Sequence, residues 1–143
     1  MVRYVTEIKS TLPQAEAFAY LADFANARFW DPSVSEARRV GEAPIGIGSV
    51  FDLVARFGRR DVPLRYEIVE YDSPRLVGLG AKRPGFTSRD VITVEPVGSG
   101  SIVHYDATLA FSGLGRLFDP VMQQIFNQVG ARATLGMQTA LNP

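Results

Sequence analysis

Apolar and polar residues alternate along most of the chain with the period of two that marks a half-buried β-strand. Val2 to Lys9 alternates from the outset, and the rhythm returns near residues 34–40, 49–57, 62–71, 75–82, 87–96 and 101–111, between turn-type residues. Two short stretches break it. Thr11 and Gln14 stand at capping-box spacing with Pro13 in the first turn, which predicts a short helix carrying Ala17, Phe18 and Leu21. Asp23 to Trp30 predicts a second short helix, ended at Asp31-Pro32 because a residue before proline avoids the helical region.

A third break is longer. Leu114 to Leu141 is predicted helical, with Met122, Ile125, Phe126, Val129, Ala133, Met137 and Ala140 recurring at spacings of three and four as one apolar stripe. Asp119-Pro120 reads as N-cap and first helical residue, or Pro120 kinks a helix that starts at Leu114. From Pro120 onward the helix reaches on the order of 33 Å.

Turns test whether the strands share one inner face, since cross-strand partners lie on the same side of a sheet. A loop Gly58-Arg59-Arg60-Asp61 sets Phe57 against Val62, Ala55 against Leu64, Leu53 against Tyr66 and Phe51 against Ile68. A turn at Ser73-Pro74 sets Ile68 against Leu79 and Tyr66 against Ala81. A turn at Gly98-Ser99 sets Val94 against Val103, Ile92 against Tyr105 and Asp90 against Ala107. The result is an antiparallel meander with one apolar face, which the C-terminal helix covers: an α+β fold. A strongly bent sheet around a long helix leaves space between them. Gly78 and Gly80 inside a strand, and Gly130 and Gly136 inside the helix, mark curvature or close approach.

Composition narrows the chemistry. At 143 residues with 46% hydrophobic and 21% charged side chains, the chain is expected to fold as a single domain. Without cysteine it has no disulfide, thiolate nucleophile or Cys-ligated metal. Fifteen Lys plus Arg balance fifteen Asp plus Glu, so no global positive field favours nucleic acid. No apolar run is long enough to form a transmembrane segment, and the start lacks a signal-peptide h-region. A cytoplasmic location is the expectation.

Few residues can carry chemistry. Asp90 falls on the inner face beside Ile92 and Leu79, where burial would raise its pKa and suit it to acid, base or hydrogen-bond work. The default alternative puts it at the open end of the sheet, solvated or paired with Arg83 or Arg89. Tyr66 and Tyr105 also point inward, as core residues or as groups that orient a ligand. His104, the only histidine, belongs to the outer face opposite Thr93 near Asp106, and a lone histidine makes no metal cluster. Trp30 stands at a pocket mouth or pins the short helices to the sheet. Arg56, Arg59, Arg60 and Arg65 form a basic cluster near a hairpin tip, with a solvated turn as the default and an acidic partner as the alternative. Gly41, Gly46 and Gly48 lead into a strand with no Lys-Ser/Thr behind them, so they do not form a phosphate loop. No Ser-His-Asp or paired-Glu motif is present, and no cofactor or metal is expected.

Taken together, the opening strand, Leu12-Pro13 with Ala17-Phe18 and Leu21-Ala22-Asp23, Phe29-Trp30-Asp31-Pro32, Gly46-Ile47-Gly48-Ser49, the run from Tyr66 to Pro74, and Gly100 to Tyr105 resemble the polyketide cyclase/dehydrase and lipid-transport family of the START-like, Bet v 1-like superfamily. The resemblance covers the whole chain and rests on fold-determining residues. It implies a helix-grip fold, a curved antiparallel sheet wrapped around a long C-terminal helix with two short helices after the first strand. It also implies a deep cavity for a lipid, polyketide or aromatic metabolite. The residues placed to line that cavity are Trp30, Phe51, Leu53, Leu64, Tyr66, Leu79, Asp90, Ile92, Tyr105, Phe118, Met122, Ile125 and Phe126. Three functions fit: a carrier of a hydrophobic small-molecule ligand, a cyclase or dehydratase using Asp90, Tyr66 and Tyr105, and a regulatory module with a protein partner. Both a monomer and a weak homodimer remain open.

Overall fold

A computed structural model describes residues 1–143. Its strands are β1 (Val2–Ser10), β2 (Val34–Val40), β3 (Val50–Phe57), β4 (Arg60–Asp72), β5 (Leu76–Arg83), β6 (Phe86–Val97) and β7 (Gly100–Phe111). They form one antiparallel sheet in the order β1-β7-β6-β5-β4-β3-β2. β2 to β7 are a meander of hairpins, and β1 returns to pair with β7. The α+β helix-grip architecture expected from the sequence is present.

The turns decide how closely the registers agree. Across β6 and β7, Val94 faces Val103, Ile92 faces Tyr105 and Asp90 faces Ala107, as expected. Across β3 and β4 the loop is only Gly58-Arg59, with Gly58 at φ 63, so Phe57 pairs with Arg60, Leu53 with Leu64 and Phe51 with Tyr66. That corrects the four-residue loop, which set Leu53 against Tyr66. The shift is two residues, so every side chain keeps its face. Ile68 faces Leu79 as expected, but by a different route: Asp72 pairs with Leu76 across a three-residue turn, and a bulge between Ile68 and Glu70 restores the register. Gly78 lies opposite the bulge, where an added Cβ would stand 3.1 Å from the Glu70 Cβ, and bulges of this kind bend a sheet.

The helices are α1 (Gln14–Ala22), α2 (Ala27–Trp30) and α3 (Asp119–Ala140). The expected capping box does not form: Pro13 is the N-cap of α1, the Thr11 amide donates to Asn142 Oδ1 at 2.9 Å, and Gln14 Nε2 donates to the Val94 carbonyl at 3.0 Å. Tertiary partners outcompete the local cap. The helix expected over 23–30 is a 3-10 turn, Phe24–Asn26, capped by Asp23 and followed by the single turn of α2. Likewise, 114–118 is helical but 3-10, and α3 begins at Asp119 with Phe118 as N-cap. Asp119 is thus the first helical residue rather than the cap.

How α3 is held explains the space beneath it. Along the free edge of β1, Gln123 Oε1 accepts from the Arg3 amide at 3.0 Å and Gln123 Nε2 donates to the Arg3 carbonyl at 2.8 Å. At the other end Ser10 Oγ donates to the Leu141 carbonyl at 2.7 Å, and Asn142 Nδ2 donates to the Lys9 carbonyl at 2.9 Å. These bonds cap an otherwise unpaired sheet edge. Close packing with the helix backbone is supplied mainly by β1 and α2, not by the middle strands. Gly130 lies against the Tyr4 ring, and Gly136 so near the Trp30 carbonyl that an added Cβ would sit 1.9 Å from its oxygen.

Gly136→Ala therefore separates two effects. On an exposed helix the change stabilises by about 1 kcal/mol through propensity. Here the methyl meets backbone, and overpacking should destabilise by roughly 2 kcal/mol or more. Urea unfolding of G136A should show a lowered midpoint; a raised midpoint would show that α3 does not touch α2 at this point.

Candidate functional site

Between α3 and the sheet lies a cavity of about 70 Å³. Its sheet wall comes from inward positions of β3, β4, β6 and β7: Leu53, Ala55, Leu64, Tyr66, Ser88, Asp90, Tyr105 and Ala107. α3 supplies Phe126, Val129, Gly130, Ala133 and Met137, β1 supplies Tyr4 and Thr6, and the segment around α2 supplies Phe24, Trp30, Asp31 and Ser33. Ser33 and Val129 are shared with an outer groove of about 250 Å³, whose rim carries Arg56, Gln128 and Arg132. The cavity alone is well below the ~300–1,000 Å³ typical of small-molecule sites, and the groove on the other side of Ser33 and Val129 is the larger space.

Of the residues expected to line the cavity, Trp30, Leu53, Leu64, Tyr66, Asp90, Tyr105 and Phe126 come together on its wall. Phe51, Leu79 and Ile92 are wholly buried in the core behind it. Met122 packs against that core, Ile125 faces the outer groove, and Phe118 is 62% exposed. Asp31, Ser33 and Ser88 are cavity residues that sequence reasoning passed over. Ser88 had a readable signal, because it lies two positions before Asp90 on the same face. Asp31 read as a helix terminator, and only the chain's turn after α2 brings it inward.

The floor is a cluster of polar groups in apolar surroundings. Asp90 is 6% exposed and is paired neither with Arg83, which donates to the Pro63 carbonyl, nor with Arg89, which pairs with Glu70. Asp90 instead accepts from the Tyr105 hydroxyl. The Tyr66 and Ser88 hydroxyls are 2.8 Å apart, and Asp31 Oδ1 accepts from the Ser33 amide and hydroxyl. Trp30 Nε1 is buried without an acceptor. The rings of Trp30 and Tyr105 meet edge-on with centroids 5.5 Å apart, and Phe24 meets Tyr66 at 5.0 Å.

Burial sets the electrostatics. Desolvation pushes the Asp90 carboxyl up to about 7; the Tyr105 hydrogen bond opposes the rise, the Asp31 charge adds to it and the Ser88 hydroxyl opposes it. Desolvation raises Asp31 as well, against its bonds from Ser33. Burial, then the Asp90 charge, lifts both Tyr66 and Tyr105, so both keep their protons. On the outer face, His104 lies 3.6 Å from Glu7 and 3.8 Å from Glu95, while Asp106 pairs with Arg3 at 2.6 Å. The basic cluster near the hairpin is partly neutralised, for Arg65 binds Asp52 through two nitrogens at 2.7 and 2.9 Å. No group of three or more His, Cys, Asp or Glu side chains is placed to hold a metal.

Asp90 makes stability depend on pH. Its carboxyl goes from about 4 in the unfolded chain to about 7 when folded. The native state holds this proton more tightly, so the cost of ionising it is absent below about pH 4, grows up to about pH 7 and persists above. Asp90→Asn removes that cost. Relative to the native protein, D90N should gain several degrees in Tm on going from about pH 5 to about pH 8; parallel Tm curves would contradict a buried, uncompensated carboxyl.

The family model described as polyketide cyclase / dehydrase and lipid transport matches residues 1–141. Solved structures share the fold at low identity. A START superfamily protein from Mycobacterium smegmatis superposes with a TM-score of 0.80 at 8% identity, covering 97% of this chain and 96% of the other. A protein from Thermus thermophilus gives 0.76 at 17%, covering 98% and 95%. The ginseng major latex-like protein 151 from Panax ginseng gives 0.74 at 11%, covering 99% and 97%. A search of curated protein sequences returned no match.

Proposed function

We propose that this chain, which belongs to the polyketide cyclase/dehydrase and lipid-transport family, binds a small hydrophobic or amphipathic molecule beneath α3 and releases it unchanged. Family and fold point to hydrophobic ligand binding or to a polyketide cyclase-like function. The observation that favours binding is a mostly apolar cavity whose few polar groups converge on one floor, the arrangement by which a site grips a greasy molecule and fixes its orientation. The cavity of about 70 Å³ is smaller than the ~150 Å³ that holds a benzene ring, so it takes one small head group and the bulk of the ligand lies past Ser33 and Val129 in the groove.

Thermal unfolding with a panel of aromatic and short-chain amphiphiles tests this function. A ligand at a hundred times its Kd stabilises by about 2.7 kcal/mol, which lifts Tm by several degrees. Ala55→Leu, which fills the cavity from β3, should fold and lose the response. Absence of stabilisation by every compound would contradict the binding function.

A second reading, proton transfer in a cyclase or dehydratase, is favoured by a single observation: Asp90 is held near 7, where a carboxyl serves as acid and base alike. In that case D90N should lower turnover of a polyketide substrate by roughly a hundredfold or more while leaving its binding intact. Unchanged turnover would remove Asp90 from any catalytic role.

A further inference from the structure

All the formal charge in the cavity wall is negative. Asp31 and Asp90 contribute carboxyls, and no Lys, Arg or His is among the lining residues. On the surface several carboxylates find partners: Asp52 has Arg38 and Arg65, Asp72 has Arg75, Asp106 has Arg3 and Glu70 has Arg89. The ion pairs of the protein include neither Asp31 nor Asp90. Exposed acids without a partner, such as Glu36 and Glu67, are solvated, whereas Asp90 is buried and Asp31 partly buried with no cation beside them, which leaves a place for a cation to enter from outside.

Aromatic rings surround the same space. Phe24 meets Tyr66 at 5.0 Å, Trp30 meets Tyr105 at 5.5 Å, and Phe24 meets Trp30 at 6.0 Å, each edge-on, so the four rings pack on one another as part of the wall. We propose that the ligand carries a protonated organic amine, drawn to the carboxyls of Asp90 and Asp31 in the cavity wall. This rests on the ligand-binding function above and specifies the chemistry it recognises.

The remaining groups around Asp90 do not supply the missing charge. Tyr105 and Tyr66 are neutral phenols, Ser88 is a hydroxyl, and Asp31 and Asp106 add only negative charge. From α3 the cavity receives Phe126, Val129, Gly130, Ala133 and Met137, and from β1 Tyr4 and Thr6, none of them cationic. Arg56 and Arg132 stand outside, at the rim of the groove, where water and salt screen them. Buried charges therefore dominate selection. An ammonium group also strengthens its own site, because it favours the ionised form of Asp90.

Three probes of one size and different charge test the proposal: benzylamine, benzyl alcohol and benzoate, titrated into the whole protein and followed by calorimetry and by the fluorescence of Trp30, the only tryptophan. At about pH 8 benzylamine should bind at least tenfold more tightly than benzyl alcohol, with benzoate weakest, and its advantage should shrink by about pH 5 as Asp90 takes up its proton. D90N should cost benzylamine at least tenfold more than it costs benzyl alcohol, and D31N, the second variant, should act in the same direction. Equal binding of the alcohol, or tighter binding of benzoate, would overturn the amine and leave the binding function standing. Failure of all three to bind would overturn both.

Discussion

At Gly136 the backbone of α3 runs against the Trp30 carbonyl with no room for a side chain, and the position of the helix over the sheet depends on that contact. With Gly130 on the Tyr4 ring and the Gln123 and Asn142 side chains bonded to the β1 backbone, the helix is anchored to one sheet edge and to α2. A helix fastened along one side and facing a sheet bent at the Val69 bulge meets the middle strands through side chains such as Phe126 and Met137 rather than by close backbone packing. The hollow follows from where the helix is fastened. It is not a packing fault.

The polar floor follows from the same geometry. Inward positions of β6 and β7 put Asp90 beside Tyr105, and the chain leaving α2 turns Asp31 and Ser33 toward them. With α3 held off, these groups have apolar neighbours, little water and no cation, so burial holds Asp90 near 7. Trp30 ties the two features together. Its carbonyl positions the helix, and its ring forms part of the cavity wall.

Where the sequence was legible, parity carried the information. Alternation assigned Asp90, Tyr66 and Tyr105 to the inner face, and the Gly98-Ser99 turn placed β6 on β7 because a one-residue error would have reversed every side chain. The β3–β4 loop was misjudged by two residues, since a shift of two preserves parity and leaves no hydrophobic signature. Of the stripe, Phe126 lines the cavity, whereas Phe118 is exposed and lies in a 3-10 segment whose period of three residues moves it out of phase with the helix beyond. Asp31 was hidden because a residue before proline looks the same whether it ends a helix or faces a cavity.

The central claim is that α3, fastened at β1 and α2, leaves a hollow between itself and the sheet. A crystal of the protein pressurised with xenon tests this directly, since small apolar cavities take up the gas. The account predicts a xenon peak bounded by Trp30, Leu53, Tyr105 and Phe126. Continuous side-chain density across that space, with no gas bound, would contradict it.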